Sequence, residues 1–227
     1  MYQHSLAKKT AILLAGIFVL IGIVHAKDNQ PQKEIDGMLL KEDAKVDLAY
    51  VRPGVDWKKF KTVYIRALNV TDEAKDATPD RKPKGRGHLR DSWIIPEKDI
   101  QLMKSEFTRI ISESMEKGGL SIVEEVRADT LVIIPAIIDI YLKAPIERSR
   151  SSNNARGGVY TDGAGSMTLS AVYADGSSMQ VIAYAVDNKY PSSMWSRNTR
   201  IQNISDMKRL FRSWGKMLAK SLSNIQE

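Results

Sequence analysis

Eleven residues from Leu131 to Tyr141 (LVIIPAIIDIY) constrain the fold more than any other stretch. The run is almost continuously apolar and rich in β-branched side chains, which suits a strand covered on both faces. Two neighbours for it follow directly, Met167–Tyr173 and Met179–Val186, joined through Ala174-Asp175-Gly176-Ser177. Asp-Gly between two such runs is a strong hairpin signal, so the centre of the fold is a sheet. Two residues interrupt the long run. Pro135 cannot donate to a ladder and is expected at an edge or a bulge. Asp139 places a carboxylate among isoleucines, where it either faces water or is desolvated with a raised pKa.

The helices are read from their period. From Pro96 onward, Met103, Phe107, Ile110, Ile111 and Met115 recur at three and four, with Glu97 and Asp99 in the first turn and Gly118-Gly119 as the stop. A second helix is expected from about Ile204, with Asn203 and Asp206 as its capping pair. It carries Met207, Leu210, Phe211, Trp214, Met217, Leu218, Leu222 and Ile225 on one stripe and Lys208, Arg212, Lys216 and Lys220 on the other side. Earlier in the chain, Leu48–Val51 is a short extended run stopped by Arg52-Pro53-Gly54. Asp56 caps a single turn at Trp57–Phe60, Lys61–Val70 alternates as a strand, and Ser121–Val126 is a short strand. Five strands and two long helices predict an α+β, two-layer sandwich: a mostly antiparallel sheet with both helices on one face.

Residues 1–26 read as a secretory signal peptide. Lys8 and Lys9 precede an apolar run, Ala11–Val24, which is followed by Val24-His25-Ala26. The run is shorter than the roughly 20 apolar residues a membrane span needs. Cleavage after Ala26 leaves 201 residues of net charge +5 and implies a periplasmic or secreted protein. Residues 27–45 read as a flexible segment and 46–227 as one α+β domain with mobile loops at 71–95 and 143–165.

Composition removes several chemistries. There is no cysteine, hence no disulfide, no thiolate metal site and no thiol nucleophile. Of three histidines, His4 and His25 leave with the signal, so a triad would have to use His88, and a multi-imidazole zinc site lacks ligands. Gly157-Gly158 has no strand before it or helix after it and is not a nucleotide loop. No cofactor is implied, and nothing in the chain points to nucleic acid.

Candidate binding residues lie in the loops. Arg81, Lys82, Lys84, Arg86 and Arg90 cluster in the first, beside His88; Arg148 and Arg150 lie in the second; Trp195 and Arg197 lie before the last helix. Such groups grip phosphate or carboxylate, pointing to an envelope protein, an anionic envelope polymer or lipid headgroups as partner. The competing reading is a hydrolase using paired carboxylates from among Asp139, Glu124, Glu125 and Asp187, as a glycosidase would.

Four places together carry a resemblance: LAYVRPGVD (Leu48–Asp56), ADTLVIIPAIID (Ala128–Asp139), the 167–187 hairpin turning at Asp175-Gly176, and Trp214 in the last helix. The chain resembles the domain of unknown function 3313 family of secreted or lipid-anchored bacterial envelope proteins. Many members resemble lipoproteins with a Cys at the cleavage site; here the site is Ala26-Lys27, so no lipid anchor through Cys is implied. The resemblance brings no catalytic residues. With no catalytic constellation in the chain, the expectation is a non-catalytic, exported binding or accessory module.

Overall fold

Among the described residues, eleven short and long strands, three α-helices and a 3-10 turn at Trp57–Lys59 make up the fold. The strands are β1 (Glu34–Ile35), β2 (Met38–Leu40), β3 (Leu48–Val51), β4 (Thr62–Ile65), β5 (Asn69–Val70), β6 (Ser121–Ile122), β7 (Thr130–Leu142), β8 (Tyr160–Thr161), β9 (Gly165–Asp175), β10 (Val181–Lys189) and β11 (Ser196–Arg197). The helices are α1 (Asp72–Lys75), α2 (Glu97–Lys117) and α3 (Arg200–Gln226). The computed structural model describes residues 31–77, 93–145, 160–191 and 196–226.

Nine strands form one mixed sheet in the order β1-β2-β3-β10-β9-β7-β4-β6, with β5 also on β7. The class is α+β, but the sheet has nine strands where five are expected. It is antiparallel from β1 to β7 and parallel where β4 and β5 meet β7 and where β6 meets β4. The Asp175-Gly176 hairpin is present, with Val181 opposite Ala174. Part of the expected flexible segment is strand: Ile35 opposes Met38 across Asp36-Gly37, both at positive φ, the geometry of a two-residue hairpin turn. Secondary structure forms within the expected loop ranges too, α1 in the first and β8 in the second.

The Lys61–Val70 run is two strands, β4 and β5, and Pro135 accounts for the break. The last β4 bond runs from Arg66 N to Ile133 O (2.9 Å). A parallel ladder would continue with residue 135 donating to Arg66 O, and proline has no N–H. Pairing resumes at Asn69 opposite Ala136. Pro135 therefore lies neither at an edge nor in a bulge; the strand bulge falls later, between Ile137 and Asp139.

One core joins Leu131, Ile133 and Ile137 of β7 and Leu169, Ala171 and Tyr173 of β9 to the stripes of α2 and α3. The alternate residues Ile134, Val172 and Tyr184 join Tyr50 and Met38 in a smaller cluster on the opposite sheet face. The two long helices lie parallel and in register. Arg200 pairs with Asp99, Lys208 with Glu106 (2.7 Å), and Ser223 Oγ donates to Gly118 O (2.8 Å). Their closest approach uses small residues: a Cβ on Gly215 would stand 2.7 Å from Ser114 Cβ, and one on Gly118 2.9 Å from Ala219 Cβ. Phe107 meets Phe211 edge-on at 5.2 Å, filling the wider part of the seam.

α3 starts at Arg200, four residues before the expected Ile204. Thr199 Oγ1 accepts from Gln202 N (3.2 Å), so the cap is Thr199-x-x-Gln202. Asn203 and Asp206 lie inside the helix instead of capping it.

Candidate functional site

Register brings one set of chain ends together. Leu142 at the end of β7 opposes Gly165 at the start of β9, and Met167 opposes Lys189 at the end of β10. At the same end α2 and α3 begin, tied by Arg200 Nε to Asp99 Oδ1 at 3.0 Å. The connections leaving this end are each pinched at their base. Ala77 N donates to Trp93 O (3.2 Å) below residues 78–92. Lys143 N donates to Ala164 O (3.0 Å) below 146–159. The β8–β11 pair, Tyr160 with Arg197 and Thr161 with Ser196, ties that second connection to the one before α3.

Between these bases lies an apolar groove of about 100 Å³, lined by Ile95, Met103, Ile140, Leu142, Met167 and Leu210. Its lining draws on the stems of all three connections. Asp206 lies under it, fully buried, accepting from Ala164 N (3.1 Å), Gln202 Nε2 (3.0 Å) and Arg209 Nη1 (3.1 Å). Those partners occupy it in fastening the β8–β9 turn to α3, not in presenting a reactive oxygen. Asn203 also lines the groove, and its Oδ1 has no hydrogen-bond partner among the described residues.

Next to these stems in the chain, several large apolar side chains are exposed. Ile201 is 81% exposed, Tyr190 64%, and Tyr141 and Tyr160 about half. Ile94, beside the groove residue Ile95, is exposed as well. Of the large apolar side chains exposed among the described residues, only Leu39 and Val126 lie elsewhere. Sequence reading did not single these out, though a signal for Ile201 was present. With 3.6 residues per turn, position 201 lies about 140° round the helix from Trp214 and off the buried stripe.

Of the residues expected to bind a partner, Arg81, Lys82, Lys84, Arg86, Arg90, Arg148, Arg150 and Trp195 lie outside the described residues, as does His88. Arg197 is in β11, opposite Tyr160. The stems that flank these sequences lie at one end of the fold. The basic positions on α3 divide: Lys208 is engaged by Glu106, while Arg212, Lys216 and Lys220 are exposed.

The four candidate carboxylates do not gather. Asp139 opposes Thr168, whose hydroxyl is bonded by Asn188 Nδ2 (2.7 Å), on the face away from the helices. Asp187 opposes Leu169 on the helix face, buried, accepting from Trp214 Nε1 at 2.8 Å with Lys189 Nζ at 3.2 Å. Asp139 and Asp187 thus lie on opposite faces of the sheet. Glu124 and Glu125 are exposed in the turn after β6. Among the described residues no three His, Asp or Glu side chains come together as a metal site would require.

The opposite end of the sheet is a structural joint. Lys59 pairs there with Asp175, and Ser177 donates to it from its N (2.9 Å) and Oγ (2.7 Å). Burial pushes the Asp175 carboxyl up, but Lys59 and Ser177 outweigh it and hold the group below its ordinary value. A second cavity of about 190 Å³, between β3, β10 and the last turns of α3, is walled by Trp57, Tyr173, Leu218 and Leu222. Burial raises the Tyr173 phenol far above its usual range, leaving it no acid–base role at neutral pH.

The sequence model described as "Protein of unknown function (DUF3313)" matches residues 38–218. No curated protein matches. Among solved structures the chain is similar to a PelC L103M dodecamer subunit from Paraburkholderia phytofirmans, at 14% identity, covering 70% of this chain and 87% of that one, with a TM-score of 0.37. It is similar to a DUF330 protein from Xanthomonas campestris at 10% identity, covering 73% and 85%, TM-score 0.41. A DUF4136 family protein from Bacteroides thetaiotaomicron follows at 11% identity, covering 82% and 98%, TM-score 0.35.

Proposed function

Since this chain belongs to the family of proteins of unknown function DUF3313, which carries no activity to transfer, we propose its function from its own surface. It is an exported, non-catalytic binding module that engages an anionic partner in the bacterial envelope through the end where α2 and α3 begin. The convergence of the three connection stems around one apolar groove carries this reading. The sequences 78–92, 146–159 and 192–197 hold nine basic and three acidic residues, so most of the chain's net charge of +7 leaves from this end. That concentration favours a partner rich in phosphate or carboxylate. The helices and sheet act as a two-layer support behind it.

Export follows from Lys8, Lys9, the 11–24 run and Ala26, which support release of the mature chain at Lys27 into the periplasm or medium. No helix among the described residues is long and apolar enough to cross a membrane. The test is photo-cross-linking in intact cells from positions 81, 90, 148 and 197, with the N-terminus of the recovered chain read by mass spectrometry. The expected result is a mature N-terminus at Lys27 and an envelope component captured from these positions but not from Glu124 or Glu125. Equal capture from both ends of the fold, or none, overturns the reading.

A further inference from the structure

We propose that the domain holds a medium-chain aliphatic carboxylic acid, of about six to eight carbons, in the cavity enclosed by β3, β10 and the last turns of α3. This site shares no lining residue with the groove where α2 and α3 begin, and it does not rest on the binding reading given for that end. Small side chains create the space. On the helix face of the sheet Ala183 opposes Val51 and Ala185 opposes Ala49, with Tyr173 of β9 across from Ala183. Three alanines in this patch do not reach α3, and about 190 Å³ is left between them and Met217, Leu218 and Leu222. Protein interiors hold few voids larger than a water molecule, which sets this one apart. It opens to solvent beside Lys45 and Ser221, both exposed and both part of its wall.

The wall decides what fits. About six waters, each needing about two to four polar partners, would fill the space, and the wall is mainly apolar with few polar side chains to serve them. An engineered apolar cavity of about 150 Å³ takes up benzene, so this one accepts a chain of about six to eight carbons. The polar groups of the wall set the other end of the ligand. Tyr173 is only 8% exposed, and neither its hydroxyl, nor Ser221 Oγ, nor Lys45 Nζ has a hydrogen-bond or ion-pair partner among the described residues. All three can donate, and Lys45 is the single charged side chain of the wall. Asp187 lies in an adjoining recess of about 20 Å³ and is already held by Trp214 and Lys189, so no carboxylate is left to receive an ammonium. Three donors with one positive charge suit a monoanion, and the carboxylate of an aliphatic acid is that group.

The experiment is isothermal titration calorimetry of the full chain with butanoate, hexanoate, octanoate and dodecanoate, and with octanol. The N-terminus is verified by mass spectrometry and every variant carries the same one. Octanoate is expected to bind with single-site stoichiometry, its affinity reached by a rise of about fourfold per methylene that levels off beyond octanoate. Octanol on the parent chain, and octanoate on Tyr173→Phe or Lys45→Met, should bind about threefold to tenfold more weakly. Ala185→Leu and Ala49→Leu fill the space from two different strands, and each should abolish octanoate binding at a Tm no lower than the parent's; if one fails to fold, the other still reads the site. Octanoate binding that the filling variants keep, or an affinity still rising through dodecanoate, overturns the cavity as the site. Equal binding of octanoate and octanol by the parent and by both polar variants overturns the acid as the ligand. No binding of any of these probes overturns the inference outright. Each of these outcomes leaves the cross-linking result at positions 81, 90, 148 and 197 untouched, so the two readings fail separately.

Discussion

Gly215→Ala sets two physical effects of opposite sign against each other. In a helix interior, alanine in place of glycine stabilises by about 0.8–1.0 kcal/mol. Here the added Cβ would lie 2.5 Å from Ser114 Oγ and 2.7 Å from Ser114 Cβ. The hydroxyl can rotate only by leaving Ile110 O, to which it donates at 2.7 Å, and the Ser114 Cβ is fixed to the α2 backbone. Overpacking of this kind costs about 1–3 kcal/mol; two non-bonded carbons at that distance put it toward the upper end, for a net loss of about 1–2 kcal/mol. A domain of this size loses about 2–4 °C per kcal/mol, so the thermal midpoint should fall by about 3–6 °C. Ser114→Gly removes the opposing carbon. In that background Gly215→Ala should raise stability by about 1 kcal/mol, giving a coupling energy of about 2–3 kcal/mol in a double-mutant cycle. Ser114→Ala keeps the carbon and should give no such relief. The assay is calorimetry or urea unfolding of the single and double variants. A Gly215→Ala protein that melts 2–4 °C higher would mean the helices are not this close, and the seam described above would be wrong.

Three further outcomes follow from single contacts. Trp214→Phe removes the donor to buried Asp187 Oδ2, leaving Lys189 as the remaining partner; the loss should be about 1.5–3 kcal/mol, read as a lower urea midpoint at constant slope, with Asp187→Asn losing less. Thr199→Ala deletes the α3 cap and should cost about 1 kcal/mol, and an unchanged midpoint would place the helix start elsewhere. The Glu106 carboxyl is held below its ordinary value, first by Lys208 and then by Arg109. Its folded pKa is therefore below the unfolded value of about 4.3, and the stability it contributes is present above that pH and lost as pH falls through the folded value. Glu106→Gln should flatten the acid limb of a stability–pH curve below about 4.3, and an unaltered limb would discount both ion pairs.

The parts legible in sequence are those fixed by local period. The stripe of α2, and that of α3 as far as Leu222, are as read, because a helix packed by one face must repeat apolar residues at three and four. The Asp175-Gly176 turn was legible for the same local reason. Asp36-Gly37 carried the same signal, yet two-residue flanks in polar sequence hid β1 and β2; their partner β3 supplies the pairing that local composition does not. The start of α3 was also written in the chain, as Thr199-x-x-Gln202, but Asn203 and Asp206 imitate a cap and compete with it. Strand order and the β4–β5 break depend on long-range pairing with β7 and had no local trace beyond Pro135.

The candidate site divides along the same line. Its basic residues are legible one by one, while the common end of the stems that flank them is not, because it follows from the register of β7, β9 and β10 and from two parallel helices. Charge accounting shows why this matters. Residues 1–26 hold +2 and the segments 78–92, 146–159 and 192–197 hold +6 of a total of +7, so the rest of the chain is within one charge of neutral. On the proposed reading the positive charge gathers at the end where the stems lie, and an anionic surface would turn such a chain end-on before contact. Steering of that kind depends on where the charge is rather than how much there is. Neutralising four of the nine basic residues while changing Glu124 and Glu125 to lysine keeps the net charge constant and should therefore slow association with an anionic surface at low salt, an effect that salt erases.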